Sequence, residues 1–174
     1  MLNYSQLQNL TRVIATDIPK PTLEWLTLDK SITNTVGLVT QSTVHVCNRE
    51  QGMSQAPNWL PLQYKQHSQS YVRCIELFAQ SQRILIAGTY THPCSDVIGQ
   101  LEALGNEPLA NLLFQSSSAH PGKQYFVQSG CWWGRVVEWS ISNCEHPMLL
   151  VELFDPEFIA HYSPKPTHQP GVSS

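Results

Sequence analysis

The chain has 174 residues, enough for one domain with a substantial core, and is 41% apolar but only 13% charged. Its net charge of -3 and its pI near 6.1 give no general electrostatic attraction to nucleic acid or to an anionic membrane. No apolar stretch approaches the roughly 18 residues of a membrane-spanning helix, and the first ten residues lack the basic and apolar regions of a signal peptide, so we expect a cytoplasmic protein without a membrane partner.

Helical signals come first along the chain. Pro21 suits the first turn of a helix that runs to Leu28, and Ser31 can cap a second helix over 32–39. Residues 51–70 contain two prolines and no sustained period, which is typical either of a loose connection or of a binding loop that covers a site. Further helices are predicted from Ser95 to Leu104 and over 108–115.

Apolar, β-prone runs predict six strands, over 43–48, 71–80, 83–92, 123–128, 133–141 and 148–155. Their short connections favour antiparallel pairing. The sequence therefore predicts an α+β fold, a six-stranded antiparallel sheet with helices packed on one face. One domain is expected over residues 1–162, followed by a disordered tail over 163–174, because the tail is too polar to bury apolar surface.

Two charged residues interrupt the most apolar strands. Arg73 shares a strand face with Ile75 and Leu77, and Glu152 lies in the run Met148–Phe154. An isolated buried charge is costly unless it is paired or serves a ligand. Arg73 is either a ligand-binding cation or an edge residue whose head reaches water. Glu152 is either part of the same site or the partner of a structural arginine such as Arg135.

Four segments, in this order, resemble one family. They are Leu23-Glu-Trp-Leu-Thr-Leu-Asp-Lys-Ser-Ile-Thr33, the arginine strand Tyr71-Val-Arg-Cys-Ile-Glu-Leu77, the segment Leu104-Gly-Asn-Glu-Pro-Leu-Ala-Asn-Leu-Leu-Phe114, and the pair Trp133-Gly-Arg135 with Pro147-Met-Leu-Leu-Val-Glu-Leu-Phe154. Together they resemble the chorismate pyruvate-lyases, which make 4-hydroxybenzoate for ubiquinone. Each motif is weak alone, but their order and spacing hold from about residue 20 to residue 156.

The resemblance implies a lyase that converts chorismate to 4-hydroxybenzoate and pyruvate in a ligand pocket enclosed under helical flaps. Arg73 and Glu152 match the family's catalytic, ligand-binding pair, and Ile32 and Leu109 match positions that contact the ligand. The implied reaction needs no metal or redox cofactor. The expected partners are the substrate chorismate and the product 4-hydroxybenzoate, with no nucleic acid, and the expected state is a monomer.

One departure from the family concerns the second strand of the central hairpin. Some members have an arginine after its Ala-Gly, whereas here Thr89 follows Ala87-Gly88. This keeps open a module of the same fold that binds aromatic acids without turning them over. The fold also serves as a sensor domain in transcription regulators, but residues 1–20 are too few for the helix-turn-helix that such proteins carry.

Overall fold

One antiparallel sheet organises the protein. The computed structural model describes residues 5–114 and 117–164, and in these residues seven strands pair in the order β1-β5-β6-β7-β4-β3-β2. The strands are β1 (Thr11–Val13), β2 (Val44–Gln55), β3 (Gln69–Ala79), β4 (Gln82–Thr91), β5 (Ala119–Ser129), β6 (Trp132–Ile141) and β7 (Met148–Phe154). Every neighbouring pair is antiparallel.

The prediction of six strands was wrong, because β1 adds a seventh at the edge of the sheet. β1 has only three residues, of which Thr11 and Arg12 are exposed. Such a segment shows no alternation of apolar and polar residues. It becomes a strand through its pairing with β5, where Val13 lies opposite Phe126.

The helices are short and have recognisable ends. They are α1 (Ser5–Gln8), α2 (Lys20–Leu26), α3 (Ile32–Thr40), α4 (Ile98–Ala103), α5 (Ala110–Leu113) and α6 (Pro156–His161), with single 3-10 turns at Ala15–Asp17 and Leu62–Tyr64. The Ser31 hydroxyl accepts a hydrogen bond from the Asn34 amide at 3.3 Å, as a capping residue does. Asp155 caps α6 in the same way. Neither α1 nor α6 was predicted.

The sheet separates two apolar cores, and most helices lie on one side of it. Residues of α2, α3, α5 and α6 pack on one face, together with Val97 and Leu101 at α4. The other face is covered by Leu7 of α1 and by Ala56, Leu60 and Tyr64 from the connection between β2 and β3. The helices therefore lie on one face with the exception of α1.

The loop predicted over 51–70 is shorter than expected and lies on the far side of the sheet from α2 and α3. Residues 51–55 extend β2, and the rest of the segment contributes to the second core. It is therefore not positioned to cover a site beneath α3 and α5.

Two further expectations concern the termini and the membrane. Of the predicted tail over 163–174, residues 165–174 lie outside the described residues. No helix in the described part of the chain combines the length and apolar character needed to cross a bilayer.

Candidate functional site

Arg73 is buried in the interior of the sheet and not at its edge. Its residue is 1% exposed, and β3 lies between β2 and β4. The Nη2 atom donates to the carbonyl oxygens of Gly105 at 2.9 Å and Glu107 at 2.7 Å. Its Nε has no hydrogen-bond partner among residues 5–114 and 117–164. The reading in which the head of Arg73 reaches water is therefore wrong.

Burial lowers the pKa of Arg73, because a guanidinium charge is less stable away from water. The two carbonyl oxygens compensate only part of this cost, since they are dipoles and not charges. An anion bound beside the guanidinium would offset the remainder. The position of Arg73 thus favours a negatively charged ligand.

Glu152 and Arg135 form a buried ion pair. The two residues lie directly opposite each other on β7 and β6, and the Arg135 Nε is 2.6 Å from the Glu152 Oε2. A Cβ added to Gly134 would lie 2.3 Å from the Glu152 carbonyl oxygen, which shows that the two strands are in unusually close contact at this point. The sequence had left open whether Glu152 pairs with Arg135 or serves a site, and the structure allows both.

Arg135 also connects the sheet to the helices above it. Its Nη1 donates to the carbonyl oxygens of Leu26, at 3.4 Å, and of Leu28. Leu26 is the last residue of α2, where a cation interacts favourably with the helix dipole, and Leu28 follows it by two residues in the connection to α3. The ion pair therefore fixes the connection between α2 and α3 over the sheet.

All four predicted site residues line one cavity between the sheet and the helices α3 and α5. Its volume is about 70 Å³. Besides Ile32, Arg73, Leu109 and Glu152, it is lined by Lys30, Ser31, Thr33, Val46, Ile75, Leu77, Leu85, Ala87, Thr89, Pro108, Ala110, Leu113, Phe114, Arg135, Val137, Trp139 and Leu150. Most of these side chains are apolar, and the buried charges are those of Arg73, Arg135 and Glu152.

The register of the strands shows how the buried charges are arranged on the floor of the cavity. Glu152 on β7 lies two strands away from Arg73 on β3 and is displaced from it by two residues along the strand direction. With strands about 4.8 Å apart and two residues spanning about 6.8 Å, the two Cα atoms lie roughly 12 Å from each other. Two long side chains at this distance can contact opposite ends of one six-membered ring.

The cavity is too small for a ring in the observed conformation. Its 70 Å³ accommodates a few water molecules, while ordinary ligand sites measure about 300–1,000 Å³. The sheet is rigid, so the space must come from the side of α3 and α5. Entry of a ligand therefore requires these short helices to move outward.

Two residues that the sequence did not assign to the site line it as well. Arg135 supplies a second guanidinium from β6, which borders β7 on one side. Thr89, the neighbour of Arg73, is on β4, which borders β7 on the other side. Trp139, on the same face of β6 as Arg135, has a buried indole N–H without a partner in the described parts of the chain. The spacing of four residues between the two could have indicated this shared face.

A larger groove of about 910 Å³ lies at the β5 edge, lined by Arg12, Tyr64, Lys123, Tyr125 and Glu138 among others. It is open, and several of its polar groups are already engaged. Tyr64 and Gln63 donate to Glu138, and the Arg12 guanidinium lies 3.8 Å from the centre of the Tyr125 ring. The enclosed cavity, with its unpartnered donors, is the better candidate for a ligand site.

Comparisons with known proteins neither add to the resemblance noted in the sequence nor replace it. No protein-family model matches the chain, and no curated protein matches it significantly. Within the described residues, no group of three or more histidine, cysteine, aspartate or glutamate side chains is arranged to hold a metal ion.

Proposed function

We propose that this protein is a cytoplasmic chorismate pyruvate-lyase, which makes 4-hydroxybenzoate and pyruvate at the first step toward ubiquinone. One observation carries the proposal. A buried guanidinium with a free donor and a buried carboxylate face the same apolar cavity, although they come from separate strands. The resemblance in four ordered sequence segments supports the choice of chorismate among small cyclic acids.

The chemistry of chorismate matches the lining of the cavity. Its ring can contact Leu109, Val137 and Leu150, and one carboxylate can accept hydrogen bonds from Arg73. Glu152 can accept a hydrogen bond from the C4 hydroxyl while its ion pair with Arg135 holds the carboxylate in place. These contacts position the substrate without any cofactor.

The reaction breaks the bond between C3 and the ether oxygen and removes the hydrogen at C4, which makes the ring aromatic. The enolpyruvyl group leaves and gains a proton at its methylene carbon to become pyruvate. Two routes for the C4 proton fit the site. Either Glu152 accepts it and then delivers a proton to the methylene carbon, or it passes directly to the methylene carbon while Glu152 orients the hydroxyl. In both, the gain of aromaticity supplies most of the driving force.

The test is to mix the purified protein with chorismate and to measure both products. Equal amounts of 4-hydroxybenzoate and pyruvate are expected. Arg73→Met, which keeps an unbranched stem but removes the guanidinium donors, should lower kcat/KM by about 100-fold or more, since it removes a charge-assisted hydrogen bond and leaves an anion unpaired. Circular dichroism and the melting temperature check that the variant is folded.

Arg12→Met is the matched control. This arginine lies over the Tyr125 ring and outside the cavity, so its loss should leave turnover unchanged. Tight binding of 4-hydroxybenzoate without any pyruvate formation would contradict the lyase and support a binding module of the same fold. Normal turnover by Arg73→Met would show that the site lies elsewhere.

A further inference from the structure

The indole N–H of Trp139 is a buried hydrogen-bond donor that does not bond to any of the described residues. The residue is 7% exposed, and its Nε1 lacks a hydrogen-bond partner in residues 5–114 and 117–164. Buried donors are normally paired, because losing water without a replacement is costly. Trp25 shows the usual arrangement, since its Nε1 donates to the Tyr162 carbonyl oxygen at 2.9 Å.

Packing fixes the position of the Trp139 ring at one end of the cavity. The ring meets Phe114 edge to face, with 5.7 Å between the ring centres and 78° between the planes. Trp139 belongs to the same core as Val137 and lines the same cavity as Arg73. The described residues around the cavity thus leave two buried donors unpaired, the Nε of Arg73 and the Nε1 of Trp139.

The strand register places these two donors far apart. Trp139 on β6 lies three strands away from Arg73 on β3 and is displaced from it by two residues along the strand direction. Their Cα atoms therefore lie roughly 16 Å apart, with two long side chains and an apolar floor between them. A ligand that satisfies both donors must carry two acceptor groups at separate positions of a compact ring.

The position of Glu152 adds a direction to this arrangement. Arg73 lies level with Leu150 on β7 and Val137 on β6. Along the strand direction, Glu152 is two residues from this level on one side and Trp139 is two residues from it on the other. A ring held between Arg73 and Glu152 would therefore direct a substituent beside the Glu152 end toward Trp139. In chorismate, the enolpyruvyl group at C3 is the neighbour of the C4 hydroxyl.

We infer that Trp139 is a specificity-determining residue, whose N–H donates to a second carboxylate of the ligand. This inference rests on the proposed function and assigns Trp139 to the second of the two acidic groups of the substrate. A ligand with one carboxylate leaves the Trp139 N–H unpaired and binds without its help.

The experiment compares benzoate and isophthalate, which carry one carboxylate and two carboxylates on the same ring. Trp139→Phe keeps an aromatic ring against Phe114 and removes the N–H donor, and the loss of ring volume that accompanies it should affect both acids alike. Relative to the wild-type protein, the Kd of Trp139→Phe measured by titration should rise about tenfold or more for isophthalate and less than about twofold for benzoate. This is the difference expected from losing a hydrogen bond to a charged acceptor. Chorismate should behave like isophthalate.

Trp133→Phe is the control, since Trp133 lies on the same face of β6 but outside the cavity lining. It should change neither affinity. Equal weakening of both acids by Trp139→Phe, or no weakening, would overturn the role of Trp139. Failure of wild-type protein to bind either acid would overturn the role of Trp139, and failure to turn over chorismate as well would overturn both proposals. Selective loss of isophthalate without any turnover of chorismate would leave Trp139 its role and refute the lyase alone.

Discussion

In the proposed lyase, the pair of Glu152 and Arg135 would contribute to both stability and catalysis. Both residues are less than one tenth exposed, so each charge depends on the other for compensation. The carboxylate would also meet the ligand hydroxyl, and the guanidinium holds the end of α2. Substitutions at either position should therefore affect folding and turnover together, and these effects must be separated.

A double substitution can separate them. Glu152→Gln leaves the Arg135 charge without its anion and should lower the free energy of unfolding by about 3 kcal/mol, as breaking a buried pair does. Replacing both residues by Glu152→Leu and Arg135→Met removes both charges and should recover most of that loss in urea unfolding. Turnover of chorismate should stay absent in both proteins. An active double variant would show that the carboxylate has no part in the reaction.

At the level of elements, the cover of the cavity is the connection between α2 and α3. Lys30, Ser31 and Ile32 line the cavity from above, whereas the segment over 56–68 packs on the other face of the sheet. Ligand entry should therefore open the first segment and leave the second in place. Release of the product through the same opening is expected to be slow.

Hydrogen exchange distinguishes the two segments. Saturating 4-hydroxybenzoate should slow the exchange of amides over 28–36, because the bound product holds the helices closed. Amides over 56–64 should exchange at the same rate with and without the product. Protection of the second segment alone would mean that the ligand binds on the opposite face.

Strand β6 can approach β7 closely only because position 134 has no side chain. A Cβ there would lie 2.3 Å from the Glu152 carbonyl oxygen and 2.5 Å from the Leu153 side chain. Gly134→Ala should therefore destabilise the protein by at least about 2 kcal/mol, through strain between strands. Gly99→Ala is the matched control, since a Cβ at this helical position meets nothing within 4 Å and alanine favours the helix. Urea unfolding of both variants measures the difference, and equal stability would contradict the close approach.

Across the protein, the long strands of the sheet were predicted better than the short edge strand β1 and the helix α6. Six strands were located because their apolar runs are long and bounded by turns, while β1 depends on contacts with β5 that no local pattern records. The α6 helix was missed although Asp155 and Pro156 form a typical helix start. Its prediction would have required weighing this start against the preceding strand.

The residues that line the candidate site could be predicted in part. Arg73 and Glu152 stand out because each breaks an apolar run, and the family resemblance added Ile32 and Leu109. Arg135 and Trp139 occupy ordinary positions of an alternating strand, and the sequence alone does not reveal which face of β6 borders the cavity. The pairing of Arg135 with Glu152 across β6 and β7 settles that question, because both then face the helices.

The loop that receives Arg73 has a second consequence, for the behaviour of the protein at high concentration. Strand β2 ends the sheet, and such an edge invites strands from other molecules. Asn106 accepts a hydrogen bond from the Asn48 amide on this edge at 3.1 Å, beside a bulge between Asn48 and Glu50. The neighbouring carbonyls of Gly105 and Glu107 bind the guanidinium. The same short segment thus occupies one position of this edge that another strand would need for pairing, and the buried cation of Arg73 holds the segment in place.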